Sequence, residues 1–166
     1  MYNRTFVSIL LFAALLISGC GYHFSASSPI VLPRGQTLLY FGRVDNLTQQ
    51  VWLTPYVKSM LRDEFTRRGQ VTWVRKNAAE TLVRVKIKEF NSSDSVKGED
   101  DVSVKYSARV VMQVEMYDRK KGGLLWSSGW TSGSESFYSQ GNKNAASRKA
   151  VDDALRKIAD KLGDNF

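Results

Sequence analysis

Hydrophobic and polar residues alternate most clearly over residues 82–90. Val83, Val85 and Ile87 take every second position there, and the residues between them are basic. Because side chains along a β-strand point alternately to its two faces, this pattern predicts a strand with one buried and one solvated face. A longer alternating run over residues 102–117 predicts a second strand. Its inward positions are Val104, Tyr106, Ala108, Val110, Met112, Val114 and Met116.

Two other segments have hydrophobic residues at helical spacing. In the first, Thr54 and Pro55 suit a helix N-terminus and Gly69 suits its end. In the second, a narrow apolar stripe stops at Gly163, and acid-first pairs four residues apart support the helix. The stripes are Leu53, Val57, Met60, Leu61 and Phe65 in the first helix, and Val151, Ala154, Leu155, Ile158 and Leu162 in the second.

The remaining pattern predicts shorter strands over residues 37–43 and 71–75, a polar loop over 91–101, and a final strand over 124–130 that extends towards residue 138. Trp126 and Trp130 share a parity on that strand, so both belong either in the core, which we favour, or beside the basic side chains of the neighbouring strands. A sheet with one apolar face needs a cover, and two amphipathic helices provide one. We therefore expect an α+β fold: a two-layer α/β sandwich with two helices packed on one face of a four- to five-stranded mixed sheet.

The N-terminus has the pattern of an export signal. Arg4 supplies a positive charge, an apolar run follows over residues 6–17, and two small residues precede Cys20. The run is too short for a stable membrane-spanning helix, which needs about 20 apolar residues. Ile-Ser-Gly-Cys resembles the bacterial lipobox, which implies a diacylglyceryl group on Cys20 and cleavage before it. In bacterial lipoproteins that the lipobox resembles, an Asp directly after the lipidated cysteine implies retention in the inner membrane. Gly21 stands at that position here, which favours the outer membrane.

These features divide the chain into a lipoprotein signal peptide over residues 1–19, a lipidated tether over 20–36 and a single α/β domain over 37–166. There is one cysteine, so no disulfide can stabilise the domain. The chain carries a net charge of +8, and the mature part keeps +7 because the signal contains one basic and no acidic residue. An exported, basic, membrane-tethered protein meets phosphorylated glycolipid, anionic phospholipid and peptidoglycan, whereas nucleic acid is normally absent there.

Patterns of catalytic and metal-binding residues are missing from the predicted domain. His23 is the single histidine and lies in the tether, so no Ser-His-Asp or Cys-His arrangement is available in the domain. Because the predicted domain contains neither His nor Cys, the sequence also excludes a metal site there with thiolate or imidazole ligands. The acidic loop at Asp94, Glu99, Asp100 and Asp101 lacks the ligand spacing of an EF-hand. We expect a protein that is not an enzyme and uses no metal or cofactor.

A row of basic side chains is the main candidate for function. Arg84, Lys86 and Lys88 share one face of a strand, with about 7 Å between successive members. Lys105 and Arg109 lie on a neighbouring strand of the predicted sheet. Like charges side by side repel one another, and a partner with several phosphates or carboxylates would relieve that repulsion. A solvated polar strand face explains the same pattern without a ligand.

The residues around the cysteine carry a more specific signal. Cys-Gly-Tyr-His-Phe at residues 20–24 resembles the signature of the LptE family of lipopolysaccharide-assembly lipoproteins, in which Gly-Cys-Gly-Tyr-His/Arg-Phe marks the lipidated cysteine. The likeness continues as pattern through the first predicted strand, the turn at residues 45–48 and the closing helix, and so covers nearly the whole mature chain. Trp52 and the loop over 91–101 depart from the family pattern.

The resemblance implies a concrete role. It implies an outer-membrane lipoprotein, held on the periplasmic side by the lipid on Cys20, that plugs an LptD-like outer-membrane β-barrel and assists its assembly. It also implies a part in lipopolysaccharide transport to the outer leaflet. A barrel lumen of that size is polar, which suits a plug with a hydrophilic surface. The family signature does not include the basic row, so lipopolysaccharide binding is a separate hypothesis for Arg84, Lys86, Lys88, Lys105 and Arg109.

A lipoprotein that regulates a peptidoglycan synthase is the alternative function. Such regulators share the lipobox and a strand-rich α/β domain with an Asn-x-Thr turn, but they usually have a longer linker. Here about 16 residues separate Cys20 from the first predicted strand, and they span no more than about 58 Å. This short tether favours a partner at the membrane itself. A third class, a lipid-carrying lipoprotein, would need an apolar cavity, and the sequence has no excess of apolar residues to line one.

Overall fold

The computed structural model describes residues 29–97 and 103–164. The predicted signal peptide, Cys20 and the first part of the tether lie outside the described residues, as does the end of the predicted polar loop. The described chain forms six strands and two α-helices, with short 3-10 turns at Pro33–Gly35 and Gln140–Asn142. The elements are β1 (Leu38–Asn46), α1 (Leu53–Arg68), β2 (Thr72–Trp73), β3 (Thr81–Lys97), β4 (Ser103–Asp118), β5 (Leu124–Ser127), β6 (Thr131–Phe137) and α2 (Lys143–Gly163).

The described strands form one mixed sheet. β1 lies between β2 and β3 and is parallel to both. β4 is antiparallel to β3, and its other edge pairs with β5 and β6, one after the other along the strand. The spatial order is therefore β2-β1-β3-β4, with β5 and β6 together completing the far edge.

Both helices pack on the same face of this sheet, which confirms the predicted two-layer α+β sandwich. The predicted apolar stripe of α1 is buried except for Met60, which is half-buried, and all five stripe residues of α2 are buried. They meet the predicted inward residues of β3, of which Val83, Val85 and Ile87 are fully buried. We call the helix-covered side the inner face of the sheet and the opposite side the outer face.

The predicted polar loop over residues 91–101 is wrong in its first part. β3 continues to Lys97 and β4 begins at Ser103, so the two strands form a long hairpin. Asn91 pairs with Arg109, and Ser93 pairs with Ser107. Main-chain pairing with β4 satisfies the backbone of this segment whatever its side chains are, and polar side chains are compatible with a strand where they face solvent.

The predicted final strand is in fact two strands, β5 and β6. They are separated at Ser128 and Gly129, and Gly129 has a φ of 60°, which glycine adopts without strain. The interruption breaks the parity that the two tryptophans share in the sequence. Trp126 is 8% exposed, whereas Trp130 is 48% exposed. A core position is confirmed for Trp126 and wrong for Trp130.

Residues ahead of β1 pack against the sandwich. Ile30 and Leu32 are both buried in the main hydrophobic core. The Ile30 backbone N–H donates to the Arg68 carbonyl oxygen at the end of α1, at 2.9 Å. The start of the domain at residue 37 and the cleavage point after residue 19 stay predictions.

Helix α2 covers the free edge of β6 with polar side chains. The Ser134 backbone N–H donates to Asp153 Oδ2 at 3.2 Å, and Lys157 Nζ donates to the Ser132 carbonyl oxygen at 3.2 Å. Residues four apart lie on one side of a helix, so a single row along α2 follows the strand edge. We call this the edge row: Lys149, Asp153, Lys157 and Lys161.

The close approach of α2 to β6 depends on Gly133. A Cβ atom at this position would lie 2.1 Å from the Ala150 carbonyl oxygen and 2.4 Å from the Ala154 nitrogen. Both atoms belong to the helix backbone, so no side-chain rotation could make room. Gly133 therefore sets the distance between the helix layer and the sheet at this strand.

Tyr56 of α1 and Asp152 of α2 join the two helices. Tyr56 Oη donates to Asp152 Oδ1 at 3.1 Å. Burial, the charge of Asp152 and this hydrogen bond raise the pKa of Tyr56 to about 12. The unfolded chain loses the phenol proton near pH 10, as an ordinary tyrosine does (about 10). The stability that this proton provides is therefore lost as the pH rises from about 10 to about 12.

We expect Asp152→Asn to lower the pKa of Tyr56 towards the ordinary value, because the charge and the charged acceptor are removed while burial remains. Ultraviolet absorbance of the phenolate during an alkaline titration measures this, and Tyr56→Phe identifies which transition belongs to Tyr56. An unchanged Tyr56 transition in Asp152→Asn would contradict the assignment.

Candidate functional site

The predicted basic row lies on strands β3 and β4, with its first two members on the outer face. Arg84 and Lys86 pair with Glu115 and Gln113 of β4 and alternate with the buried inner residues of β3. A β-bulge between Ile87 and Glu89 leaves Lys88 as the extra residue, and it is exposed. The sequence therefore identified the right face, but the bulge ends the strict alternation at Lys88.

Lys86 does not offer a free charge. Its Nζ lies 2.8 Å from Oε1 of Glu115, a carboxylate that is only 6% exposed. Gln113 Nε2 donates to the same oxygen at 3.0 Å, and Tyr117 Oη donates to Glu115 Oε2 at 2.8 Å. Burial by itself would raise the pKa of Glu115, but hydrogen bonds from Lys86 and Tyr117 and the charges of Lys86 and Arg84 lower it overall. Glu115 is thus an ionised, nearly buried partner that neutralises Lys86.

Arg84 is positioned by an aromatic ring rather than by a carboxylate. Its guanidinium carbon lies 5.4 Å from the ring centroid of Tyr117. The hydrogen bond to Glu115, followed by burial, raises the pKa of Tyr117, so the ring stays a neutral platform for the cation. Among the described side chains Arg84 has no ion-pair partner, which leaves its N–H groups available to an anion.

Lys88 repeats this arrangement further along the sheet, where its Nζ lies 5.6 Å from the ring centroid of Trp130. Arg109 pairs with Asn91 and Ser134 on its two neighbouring strands and is exposed, while Lys105 is half-buried. Arg109 lies six residues from Glu115 along β4, or about 20 Å. The structure therefore brings Arg84 and Lys86 together and places Lys105 and Arg109 in a separate patch.

Glu115 and Tyr117 are neighbours of the basic row that the sequence did not reveal, whereas Trp130 lies beside Lys88, the less favoured of its two predicted positions. Glu115 and Tyr117 are separated from Arg109 by an even number of positions on β4, so alternation in the sequence does predict that all three lie on the outer face. The register that places Glu115 opposite Arg84 and beside Lys86 has no signal in the sequence of either strand. The position of Trp130 depends on the break at Gly129, which the alternation conceals.

A cavity of about 410 Å³ opens beside Arg84 on the outer face. Its floor is apolar, with Leu82 between the rings of Tyr40 and Tyr117, and these three side chains pair across β1, β3 and β4. Its basic lining residues are Arg43, Lys76 and Arg84. Aromatic and aliphatic surface next to guanidinium and ammonium groups suits a ligand that is anionic and partly apolar.

The groups on this face suit the binding of an anion. Among the described residues, no group of three or more His, Cys, Asp or Glu side chains is placed to hold a metal ion. Glu115 is committed to three hydrogen-bond donors and is held ionised, so it is not poised to exchange a proton near neutral pH. Cys20, the predicted lipidation site, lies outside the described residues.

Comparison with known protein families decides the relationship. The family model described as "LptE: Lipopolysaccharide-assembly" matches residues 38–165, which is most of the chain and nearly the whole described domain. The chain belongs to the LptE family. This confirms the relationship that the motif at residues 20–24 suggested, and it does so from a part of the chain that excludes the motif. The LptE family consists of lipoproteins of lipopolysaccharide assembly rather than enzymes.

Solved structures with the same fold are distant in sequence. Uncharacterized lipoprotein B from Nitrosomonas europaea is 11% identical, with a TM-score of 0.56, over 75% of this chain and 81% of that chain. A minor lipoprotein from Acinetobacter baumannii is 11% identical, with a TM-score of 0.53, over 78% and 92%. The hypothetical protein CT253 from Chlamydia trachomatis is 11% identical, with a TM-score of 0.51, over 77% and 96%. At this identity the likeness concerns the fold.

A search of curated proteins returned no match. Neither helix in the described part of the chain combines the length and the hydrophobicity needed to cross a bilayer.

Proposed function

We propose that this member of the LptE family is a lipid-anchored component of lipopolysaccharide transport in the outer membrane. Acyl chains on Cys20 hold it on the periplasmic side. The folded domain plugs an LptD-like β-barrel, assists the assembly of that barrel and takes part in delivering lipopolysaccharide to the outer leaflet. The observation that carries the proposal is the family match over residues 38–165.

The distribution of polarity in the domain supports a plug. Its main hydrophobic core lies between the helices and the inner face of the sheet, while the outer face carries charged side chains around a small apolar patch at Tyr40, Leu82 and Tyr117. The lumen of a large outer-membrane barrel is polar, so a domain that enters it gains little from apolar surface patches and needs a self-sufficient core. The burial of both helix stripes against the sheet provides that core.

Three cations on β3 and β4 support contact with lipopolysaccharide. Arg84 and Lys88 are held over aromatic rings, and Arg109 is exposed between two strands. None of the three has an ion-pair partner among the described side chains. Phosphate groups would therefore gain charge-assisted hydrogen bonds without first displacing a carboxylate of the protein. Lys86 contributes less, because Glu115 already neutralises it.

Affinity purification of the tagged, full-length protein from outer membranes tests the barrel partnership. We expect a large β-barrel protein to be recovered, and we expect Cys20→Ser to reduce its recovery because the anchor is lost. Recovery of a peptidoglycan synthase without a barrel would overturn the proposal and favour the alternative function. Mass spectrometry of the mature N-terminus checks the acylation itself.

Replacing Arg84, Lys88 and Arg109 together by glutamine is expected to weaken lipopolysaccharide binding by about tenfold and to reduce its dependence on salt, because several charge-assisted contacts are lost. Binding to purified lipopolysaccharide at two salt concentrations measures this. The free energy of unfolding should change by no more than about 2 kcal/mol, since exposed charges contribute little and each of the two cation–π contacts contributes about 0.5–1 kcal/mol.

Lys86→Gln provides the matched control. It removes one charge from the same face but leaves the Glu115 carboxylate buried beside an uncharged neighbour, which we expect to cost about 1–3 kcal/mol of stability. Its effect on lipopolysaccharide binding should be smaller than that of the triple variant. Equal binding by the triple variant and the wild type would remove these cations from the binding site.

A further inference from the structure

A second concentration of positive charge lies at the end of the sheet where β1 and β3 begin. Three segments, residues 34–37, 74–80 and 118–123, contain six basic residues and two carboxylates, a net charge of +4. These 17 residues therefore carry half of the net charge of +8 of the whole chain. We call their basic side chains the basic pole: Arg34, Arg75, Lys76, Arg119, Lys120 and Lys121.

Specific contacts hold the three segments together. Arg34 Nη1 lies 3.1 Å from Asp118 Oδ2, which joins the turn before β1 to the turn after β4. The Arg119 backbone N–H donates to the Glu80 carbonyl oxygen at 2.9 Å, and Arg119 Nε donates to the Ala79 carbonyl oxygen at 2.6 Å. The basic pole is thus one surface of the folded domain rather than three separate runs of charge.

The two carboxylates of this region are already engaged within the protein. Asp118 Oδ1 accepts the backbone N–H groups of Lys120 and Lys121, each at 2.9 Å. Glu80 Oε2 accepts the backbone N–H groups of Thr37 and Leu38 at 3.2 and 3.3 Å. These contacts occupy the carboxylates with main-chain donors. The ammonium groups of the pole lysines, all exposed, have no ion-pair partner among the described side chains.

The pole lies at the end of the domain from which the chain runs towards Cys20. Ile30 is bonded to the end of α1, and Thr37 stands directly before β1, between the pole segments. The described chain begins at Pro29, nine residues after Cys20. Nine residues span at most about 32 Å. Any membrane that holds acyl chains on Cys20 is therefore within short reach of this end of the domain.

We propose that the basic pole docks on the headgroups of an anionic phospholipid bilayer beside the lipid anchor; this rests on the Cys20 acylation in the proposed function. The acyl chains on Cys20 already provide stable anchoring, so the basic cluster adds membrane affinity and sets the orientation of the domain. Each Lys or Arg near an anionic surface adds roughly fivefold to membrane affinity, within a Debye length of about 8 Å. Docking fixes an orientation in which the β3–β4 hairpin extends away from the bilayer, with the start of β3 and the end of β4 nearest to it.

Vesicle co-sedimentation of the mature chain carrying Cys20→Ser tests the charge contribution without the anchor. The vesicles contain phosphatidylglycerol with phosphatidylethanolamine, or phosphatidylcholine alone. We expect binding to the anionic vesicles, at least about tenfold weaker binding after Arg75→Gln, Lys120→Gln and Lys121→Gln are combined, and loss of binding at high salt. The control combines Lys143→Gln, Lys149→Gln and Arg156→Gln, three exposed residues of α2, and should stay within about twofold of the parent chain.

Amine labelling of the acylated, unsubstituted protein in lipid nanodiscs tests the orientation. Lys76, Lys120 and Lys121 should be labelled at least about threefold more slowly in anionic than in neutral nanodiscs, while Lys143 and Lys149 should be labelled equally in both. Equal labelling of the pole lysines in the two lipids would overturn the docking. Equal binding of the pole variant and the α2 control to anionic vesicles would also overturn the docking. The same holds for a pole variant that keeps its binding to anionic vesicles and loses binding only to lipopolysaccharide micelles.

The docking of the basic pole and the proposed barrel partnership can each fail without the other. Co-sedimentation of the Cys20→Ser chain requires neither acylation nor a barrel, so it can support the pole if affinity purification recovers no barrel. Recovery of a barrel together with unprotected pole lysines would overturn the docking and leave the proposed function intact.

Discussion

Replacing Gly133 with alanine is expected to destabilise the domain by about 3 kcal/mol or more. The added Cβ would lie 2.1 Å from the Ala150 carbonyl oxygen and 2.4 Å from the Ala154 nitrogen. Because both are backbone atoms of α2, the helix itself must move away from β6. That movement would disturb the contacts that the edge row makes with the strand.

Urea denaturation of the Gly133→Ala protein measures the loss, and Gly141→Ala is the matched control. A Cβ atom at Gly141 would lie 3.7 Å from Ser139 Oγ, an ordinary van der Waals distance. We expect the control to change the free energy of unfolding by less than about 1 kcal/mol. If the two variants had equal stability, α2 would not approach β6 as closely as the structure has it.

Replacing Arg68 with alanine is expected to cost about 3 kcal/mol of stability. The Arg68 side chain is only 2% exposed and joins α1 to α2, with Nη2 2.7 Å from Asp160 Oδ1 and Nη1 3.2 Å from Glu64 Oε1. Removing the guanidinium would leave two carboxylates facing each other across the helix interface, with a cavity between them. Breaking a buried ion pair from one side is costly because the remaining charge loses its compensation.

The neighbouring residue offers a control with the same chemistry and a different environment. Arg67 also pairs with Glu64, but its side chain is 63% exposed. Arg67→Ala should therefore change the free energy of unfolding by no more than about 1 kcal/mol. Thermal and urea unfolding of both variants checks the difference. Equal stability losses would mean that burial does not set the strength of this network.

The layers of the fold were predictable from periodicity alone. The alternation over residues 82–90 identified the inner residues of β3, and the two apolar stripes identified the helices that cover them. These signals are strong because each repeats several times with a fixed period, and burial of one face allows one register only. The helix C-termini were also close, since Gly69 and Gly163 mark them. The predicted cap at Thr54 is wrong: α1 begins one residue earlier, at Leu53, and no side chain caps its start.

The long hairpin was not predictable in the same way. The composition of residues 91–97 is polar and resembles a loop, yet the segment is part of β3. Pairing with β4 supplies its backbone partners, and that pairing is a tertiary contact which neither segment encodes separately. The bulge after Ile87 and the break at Gly129 likewise change which face a side chain occupies, and alternation assumes that neither exists.

The sequence predicted which face of the sheet carries the candidate site, but not the contacts that its side chains make. Alternation in the sequence placed Arg84 and Lys86 on the same face of the sheet, because β3 has no bulge between them. Which cations remain available depends on the neighbour across the sheet, and alternation alone does not place Glu115 beside Lys86. The structure divides the row into a neutralised Lys86 and cations held over the rings of Tyr117 and Trp130.

The edge row protects the free edge of β6 from pairing with a strand of another chain. An unprotected strand edge is a template on which a strand of another chain can pair. Here Asp153 and Lys157 already occupy main-chain groups of Ser134 and Ser132. The opposite border, β2, is only two residues long. The side chains of α2 therefore reduce the number of β6 main-chain groups with which a strand of another chain could pair.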